Sequence, residues 1–404
     1  MNRVSVGRLA PVEGLFTSES VADGHPDKIA DQLSDAVLDA ALRQDPKARV
    51  AVEAAIKGAS VWLFGELTGR NMVLDFQEIV RNVLSTVGHG DNRWGLDLDR
   101  LDVRTSISQQ AAEIGNGVGY GADSGAGDQG MMFGYADRDT PERLPTPIAL
   151  AHRLIRRQRE VRDRLGILGP DAKAQVSVRY EKGKPAGLQT IVLSSQHLAD
   201  ASLSQVREIL RDEIIRPVLG AEADTAELLL NPAGTFIEGG PVADAGLTGR
   251  KIIADTYGGF ARHGGGAFSG KDGTKVDRSA AYAARQLALT VVAAGLATAC
   301  EVRLAYAIGV AEPVAVHLDL EGDGTLSLDP GAAARLLEAL RPRAIIDRLG
   351  LTAPGFLPTA AFGHFGRPQF SWEQPAVNTL LGDQNSSHKF TFGVEAQPAG
   401  VQAQ

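Results

Sequence analysis

The chain has 404 residues, 44% of them apolar and 22% charged, with a formal net charge of −8. Such a balance belongs to a globular protein of two or three domains. No polybasic or aromatic-rich stripe marks a nucleic-acid partner, no apolar run approaches the ~18 residues that a membrane span needs, and one cysteine, Cys300, rules out an internal disulfide framework.

These bounds predict a cytoplasmic protein whose ligand is a small molecule. The first residues, MNRVSVGRLAPVEG, hold no signal-peptide core, and Cys300 is expected as a small buried hydrophobe.

In chain order, the first predicted element is a helix over 26 to 44. Ile29, Leu33, Ala36, Val37 and Ala40 keep helical spacing there, and Pro26 suits the first helical position. Two strand-like runs follow, RVAVEAAI and SVWLFGEL, then a helix over DFQEIVRNVLSTVG. The stretch from about 104 to 130 is Gly-rich without helical period, which predicts a long loop or lid. A helix over 147 to 166 opens a second unit. It continues with AQVSVRYE, the turn KGKPAG, GLQTIVLSSQ and a helix over SLSQVREILRDEIIRPVLG. KIIADTY, 251 to 257, is strand-like. The third unit opens with a helix capped by Asp277, continues with EVRLAYAIGV and PVAVHLDLEG, and closes with a helix over GAAARLLEALRPRAIIDRL. After about 375 the chain reads as a loose tail. Helix, strand, strand, helix, three times, predicts three related α+β units with sheets packed on helices. Their expected bounds are 13–112, 127–237 and 239–376, interleaved in three dimensions, with a tail over 377–404.

Four stretches carry candidate chemistry. GGGAFSGKDGTK, 264 to 275, comes close to a P-loop, but Asp272 stands where a hydroxyl is needed. KIIADTY is separated from the glycines by GGFARH, and Gly273 weakens a helix start. The P-loop, and with it a P-loop kinase, is therefore rejected. The glycines still let backbone N–H groups approach an anion. In ESVADGHPDKIAD, His25 and Asp27 sit at a helix start, where anions bind. In GLTGRK, Arg250 and Lys251 pair a guanidinium fork with a point charge, a combination that suits a polyphosphate. GPDAKAQ places Lys173 before a strand. Asp27 and Asp277 are candidate Mg²⁺ ligands, since hard cations take carboxylate and phosphate oxygens. No His/Cys cluster has zinc spacing. The remaining histidines, His89, His152, His197, His263, His317, His364 and His388, are expected to be structural or exposed.

FTSESVADGHPDKIADQLSDAVLDA, GAGDQGMMFGYA, GGPVADAGLTGRKIIADTYGGFARHGGGAFSGKDGTKVDRSAAYAAR, YAIGVAEP and FGHFGR together resemble the S-adenosylmethionine synthetase family, in the family's order, over about residues 15 to 372. The resemblance implies synthesis of S-adenosylmethionine from ATP, L-methionine and water, and three interleaved α+β domains with pseudo-threefold symmetry. It also implies Mg²⁺ and K⁺ as cofactors, and a homodimer or dimer of dimers with active sites between subunits. Residue by residue, it places His25, Lys173, Arg250 and Lys271 in catalysis, with His25 against the triphosphate near the breaking bond. Asp128, Asp171, Phe236, Asp244, Lys251 and Ala267 join them on the ATP side. Glu66, Gln110, Asp244, Lys275 and Ile308 fall on the methionine side, Asp27 and Asp277 on Mg²⁺, and Glu53 on K⁺. The sequence departs from the family pattern at Thr235, where an arginine is usual, at Glu238, where an apolar residue is usual, and in a short lid after Gln110. Thr235 and Glu238 are the only support for a competing reading, a non-catalytic nucleotide-binding regulatory subunit descended from such an enzyme.

Overall fold

The computed structural model describes residues 3–10, 12–110, 125–322, 326 and 328–382. The first third contains β1 (Val4–Arg8), β2 (Gly14–Val21), α1 (Pro26–Gln44), β3 (Arg49–Lys57), β4 (Ser60–Thr68), α2 (Phe76–Leu84) and β5 (Asp102–Ser108). The middle contains β6 (Gly130–Ala136), α3 (Thr146–Leu165), β7 (Leu168–Glu181), β8 (Lys184–His197), α4 (Leu203–Ile209), α5 (Arg216–Leu219) and β9 (Glu227–Leu230). The last third contains α6 (Gly240–Ala243), β10 (Gly246–Leu247), α7 (Ile252–Asp255), α8 (Val276–Ala293), β11 (Ala299–Tyr306), β12 (Ala315–Glu321), α9 (Pro330–Ala339), α10 (Pro342–Leu349) and α11 (Val377–Leu381).

The strands form three four-stranded sheets, β10-β3-β4-β5, β2-β7-β8-β9 and β6-β11-β12-β1. All three follow one plan. A first strand pairs antiparallel with a hairpin, and the far hairpin strand pairs parallel with an edge strand. Each hairpin is preceded by a long helix: α1 before β3-β4, α3 before β7-β8 and α8 before β11-β12. The first strand of each sheet comes from another unit. β2, which leads into α1, pairs with β7; β6, which leads into α3, pairs with β11; β10, ahead of α8, pairs with β3. The three expected units are thus present, and each passes one strand to a neighbour in a cycle.

The three long helices pack on sheet faces, α1 on β3, α3 on β7 and β2, and α8 on β6 and β11. α1 and α8 are buried on nearly every side. Ile29, Leu33, Val37 and Leu38 are fully buried, and so are Asp31, Asp35, Arg278 and Arg285. Ion pairing is what makes such burial tolerable. Asp35 takes a bidentate fork from Arg278 at 2.7 and 2.8 Å, and Arg285 does the same with Glu373 at 3.0 and 2.9 Å. Gly134 on β6 lets its sheet approach α8 closely, because a Cβ there would collide with the main chain of Ala284 on α8. Gly134→Ala is expected to lower stability by about 1–3 kcal/mol through overpacking, read as a fall in melting temperature.

Several expectations are corrected. KIIADTY is not a strand: Ile252–Asp255 forms the helical turn α7, closed by Thr256 Oγ1 donating to Ile252 O and by burial of Asp255 against Lys28 Nζ at 2.5 Å. The helix expected to be capped by Asp277 starts two residues earlier, at Val276, with Lys275 as cap, because the Lys275 carbonyl accepts from Arg278 and Ser279 N–H. The helix expected over 331 to 349 breaks at Arg341, whose following Pro342 forces extended backbone. The one expected over 202 to 220 passes through a π-helical segment before Pro217, which has no N–H for the ladder. α2 likewise stops at Leu84, and Ser85–His89 continues as a π-helical turn with Gly88 at φ 109°. The turn after β7 is only Lys182-Gly183, both with positive φ, a tight hairpin connection. Lys173 lies inside β7 rather than before it. The start of the expected lid is β5, a parallel partner of β4; residues 111–124 lie outside the described residues. The tail's first residues form α11, with Leu380 and Leu381 buried, and 383–404 lie outside the described residues. Cys300 is buried on β11.

Candidate active site

His25 is the N-cap of α1, in extended conformation, and its Nδ1 accepts from Asp27 N–H at 3.2 Å. Only 4% of it is exposed. Burial and the nearby Lys251 and Lys173 ammoniums push its pKa down to about 3, so the ring is neutral at physiological pH. With Nδ1 accepting, the tautomer this bond assigns carries its proton on Nε2.

Asp27 is the hub of this first cluster. Its Oδ1 accepts from Leu247 N–H at 3.0 Å and meets Arg250 Nε at 3.2 Å, and its Oδ2 accepts from Lys251 Nζ at 2.5 Å. Burial is the largest influence and opposes the charge, but the Lys251 and Leu247 hydrogen bonds and the Lys251 charge together outweigh it and hold the carboxyl below its ordinary range. Asp171 stands on β7 near Lys173, Asp244 and Lys251. Its Oδ2 accepts from Gly240 N–H at 2.9 Å, whereas Oδ1 is buried without a hydrogen-bond partner. Burial raises this carboxyl to about 6. Gln196 Oε1 accepts from Asp171 N–H, and Phe236 lies beside the same glutamine across Gly239. His25, Asp27, Asp171, Lys173, Phe236, Asp244, Arg250 and Lys251 therefore gather around the start of α1.

A second cluster surrounds Lys271. Lys271 Nζ donates to Asp277 Oδ2 at 2.5 Å. Asp277 Oδ1 faces Gly130 and Gly266 so closely that a Cβ at Gly266 would collide with it. His263, Met131 and Phe133 line the adjoining cleft with Asp277. Ala126 bridges to Ile308, and Gly127 runs against Thr274, which brings Asp128 and Ile308 to this end. Glu66 pairs across from Ala51, whose other neighbour is Lys271. Gln110 N–H donates to Thr68 Oγ1 beyond it. Lys275 Nζ is taken by Asp272 at 2.5 Å. Asp272 itself is a brace, accepting from Val50 N–H at 2.6 Å and Thr274 N–H at 2.8 Å. The residue that spoils a P-loop thus fastens its loop to β3.

Both clusters hang on one strand. Lys271 bridges to Ala51, and Leu247, beside Asp27, pairs with Ala55. Four residues of strand separate their attachment points by about 13 Å. Asp27 and Asp277 are therefore not neighbours within one chain, and each holds a lysine instead. Among the described residues, no three His, Cys, Asp or Glu side chains gather as a metal-binding group. Glu53 lies on the exposed face of β3 opposite Phe64, and Ala267 touches the Gly249 turn between the clusters. Thr235 and Glu238 are exposed, flanking Phe236, whose N–H donates to His197 Nε2 at 3.1 Å.

The sequence reading missed His263 as a lining residue and the acidic ladder beneath the loops. The signal for the ladder was present, as Asp27, Asp31, Asp35 and Asp39 recur every four residues along one helix.

A body of three repeated sheets, with cations gathered at a helix start and over glycine turns, is that of an anion-binding α+β enzyme. Models of the N-terminal, central and C-terminal domains of S-adenosylmethionine synthetase match residues 13–112, 123–236 and 238–374. The chain belongs to the S-adenosylmethionine synthetase family, and its activity is that of a methionine adenosyltransferase, which makes S-adenosylmethionine from ATP and methionine. The family is metal-dependent. Among the described residues, no helix is long and apolar enough to cross a membrane.

Proposed function

We propose that the methionine sulfur attacks C5′ of ATP in line, that tripolyphosphate leaves whole, and that it is then hydrolysed to pyrophosphate and phosphate. The observation that carries this reading is the neutral, donor-bearing His25 ringed by Lys173, Arg250 and Lys251. A thioether needs no general base. The barrier lies in a leaving group on which about four negative charges are gathered as the C–O bond breaks, and preorganised donors aimed at that charge are the main catalytic term. His25 Nε2–H meets the oxygen nearest the breaking bond, and the cations hold the chain beyond it. Lys271 and Arg250 retain the product for hydrolysis. The unpartnered Asp171 Oδ1 is an acceptor for the nucleotide.

The donor set suits Mg²⁺, which takes one or two carboxylates and completes its shell with phosphate oxygens and water. Asp277 Oδ1, beside Gly130 and Gly266, would hold the ion on one side, and Asp27 would exchange Lys251 for it. When bound, Mg²⁺ neutralises phosphate charge. Glu53 is the proposed K⁺ ligand.

The two clusters complete each other across a dimer. A second copy turned about a twofold axis sets one chain's His25 cluster against the other's Lys271 cluster. The surface between them supports this, because Trp62 is 53% exposed and packs edge-on to Phe64, and Leu247 is 36% exposed.

The test is to mix protein, ATP, L-methionine, Mg²⁺ and K⁺. Equal yields of S-adenosylmethionine, pyrophosphate and phosphate are expected; nucleotide binding without product would overturn the reading. Thr235→Arg, which restores a cation beside Phe236, is expected to lower the KM for ATP by about threefold to tenfold. An unchanged KM would mean that Thr235 lies away from the nucleotide.

A further inference from the structure

Beneath the cation-bearing loops, α1 presents four aspartates at intervals of four residues, and each grips main-chain N–H groups of a loop. Asp27 holds Leu247 at 3.0 Å, Asp31 holds Gly249 at 2.8 Å, Asp35 holds Gly270 at 2.8 Å, and Asp39 holds Gly355, Phe356 and Leu357 at 2.8 to 3.0 Å. The second and third rungs fall on the residues just before Arg250 and Lys271. Gly249 and Gly270 both have positive φ, +78° and +79°, so the chain reverses there and turns its next side chain outward.

The third rung does more than the others. Asp35 is bound bidentately to Arg278, and both are fully buried. Asp35 accepts the N–H of Gly270, while Arg278 Nη1 donates to the carbonyl of Lys271 at 3.2 Å. A single ion pair therefore holds both ends of the Gly270–Lys271 dipeptide. Gly270 O also accepts from Val52 N–H at 3.1 Å. Arg278 is the neighbour of Asp277 on α8, so the pair ties the Lys271 loop to the helix that carries the carboxylate Lys271 meets. A buried ion pair is weak support for stability, and apolar residues of like volume often serve as well. What they cannot supply is a directed hold on a buried N–H and C=O.

We propose that Asp35 and Arg278 are positioning residues for Lys271, setting the direction from which its ammonium meets the triphosphate. This rests on the reading of Lys271 given above. Asp39 is the internal control, because it grips three N–H groups in the same manner in a loop that carries no candidate site residue.

The test compares Arg278→Lys, which keeps the charge and loses the fork, with Asp39→Asn. Three readouts are taken: kcat and KM for methionine, hydrolysis of added tripolyphosphate, and the rate of Lys271 acetylation by acetic anhydride relative to Lys251, mapped by mass spectrometry. Arg278→Lys is expected to lower kcat and tripolyphosphate hydrolysis roughly 10–100-fold, with KM for methionine within about twofold. The Lys271 to Lys251 acetylation ratio should change several-fold. Asp39→Asn should lower the melting temperature and leave kcat and the ratio as they are. Should Arg278→Lys not fold, Thr359→Val, which removes only the hydroxyl that accepts from Arg278 Nη2 at 2.9 Å, is expected to change the same readouts more weakly. An unaltered kcat and ratio in a folded Arg278 or Thr359 variant overturns the proposal, as does parallel loss of kcat and stability in all variants. A wild-type protein that makes no S-adenosylmethionine would sink the proposed function instead, and the acetylation ratio, which needs no turnover, would still decide the positioning role.

Discussion

His25→Ala is expected to slow S-adenosylmethionine formation by about 10²–10³-fold while leaving hydrolysis of added tripolyphosphate within about tenfold of wild type. The asymmetry follows from where the ring sits. His25 caps α1 with Nδ1 accepting from Asp27 N–H, which leaves Nε2–H as the donor. Burial and two neighbouring ammoniums hold its pKa near 3, so it donates a hydrogen bond without carrying a full charge. Such a donor stabilises the oxygen on which charge develops as the C–O bond breaks, and that oxygen already bears its charge when tripolyphosphate is supplied ready-made. The measurement is a pair of rates on one preparation, S-adenosylmethionine by chromatography and phosphate from added tripolyphosphate. Equal loss of both would remove His25 from the bond-breaking step and make it a brace for the start of α1. His25→Asn, which keeps a donor and a cap, should recover part of the first rate.

Two separately crippled chains are expected to restore each other. If one site draws His25 from one chain and Lys271 from another, a hybrid of His25→Ala and Lys271→Ala chains has one doubly damaged site and one intact site. Random mixing makes half the dimers hybrid, so about a quarter of wild-type activity should return. The prediction follows from the ~13 Å that separates the clusters' attachment points along β3, with Asp27 and Asp277 each paired to its own lysine. Mixing after co-refolding, with activity followed against the ratio of the two chains, gives a maximum at equal parts. A straight line between two inactive end points would mean that each site is built from one chain. Trp62→Glu, which puts charge on the proposed interface, should separate the copies and abolish turnover, read by sedimentation and activity together.

Much of this was legible in the sequence because it is local. The period of Ile29, Leu33 and Val37 marks α1, and the hairpins β3-β4 and β7-β8 announce themselves as paired apolar runs. Likewise, the residue types of the site are written in short motifs, as in GHPDK and GRK. What could not be read is pairing at long range. β2, β6 and β10 are short or carry motif residues, and their partners lie far along the chain, so nothing in their own period marks them as strands. KIIADTY has the composition of a strand, but burial of Asp255 on Lys28 makes it a helical turn, an interaction spanning 227 residues. For the same reason, the motifs do not show that Asp27 and Asp277 each meet a lysine within the chain. Residue chemistry is legible position by position; distance is not.

The cyclic passing of β2, β6 and β10 between sheets has a consequence for the history and handling of the molecule. The family describes it in three parts, but none of the three can be cut out at its own boundaries. Excision of any one removes the first strand of a sheet and leaves behind a strand whose partner has gone, exposing an open edge prone to aggregation. A limited protease that nicks between the units should release no stable fragment, and grafting one unit from a relative should require compatible strands in both neighbours. The three parts are links of a closed ring, each completing its neighbour's sheet.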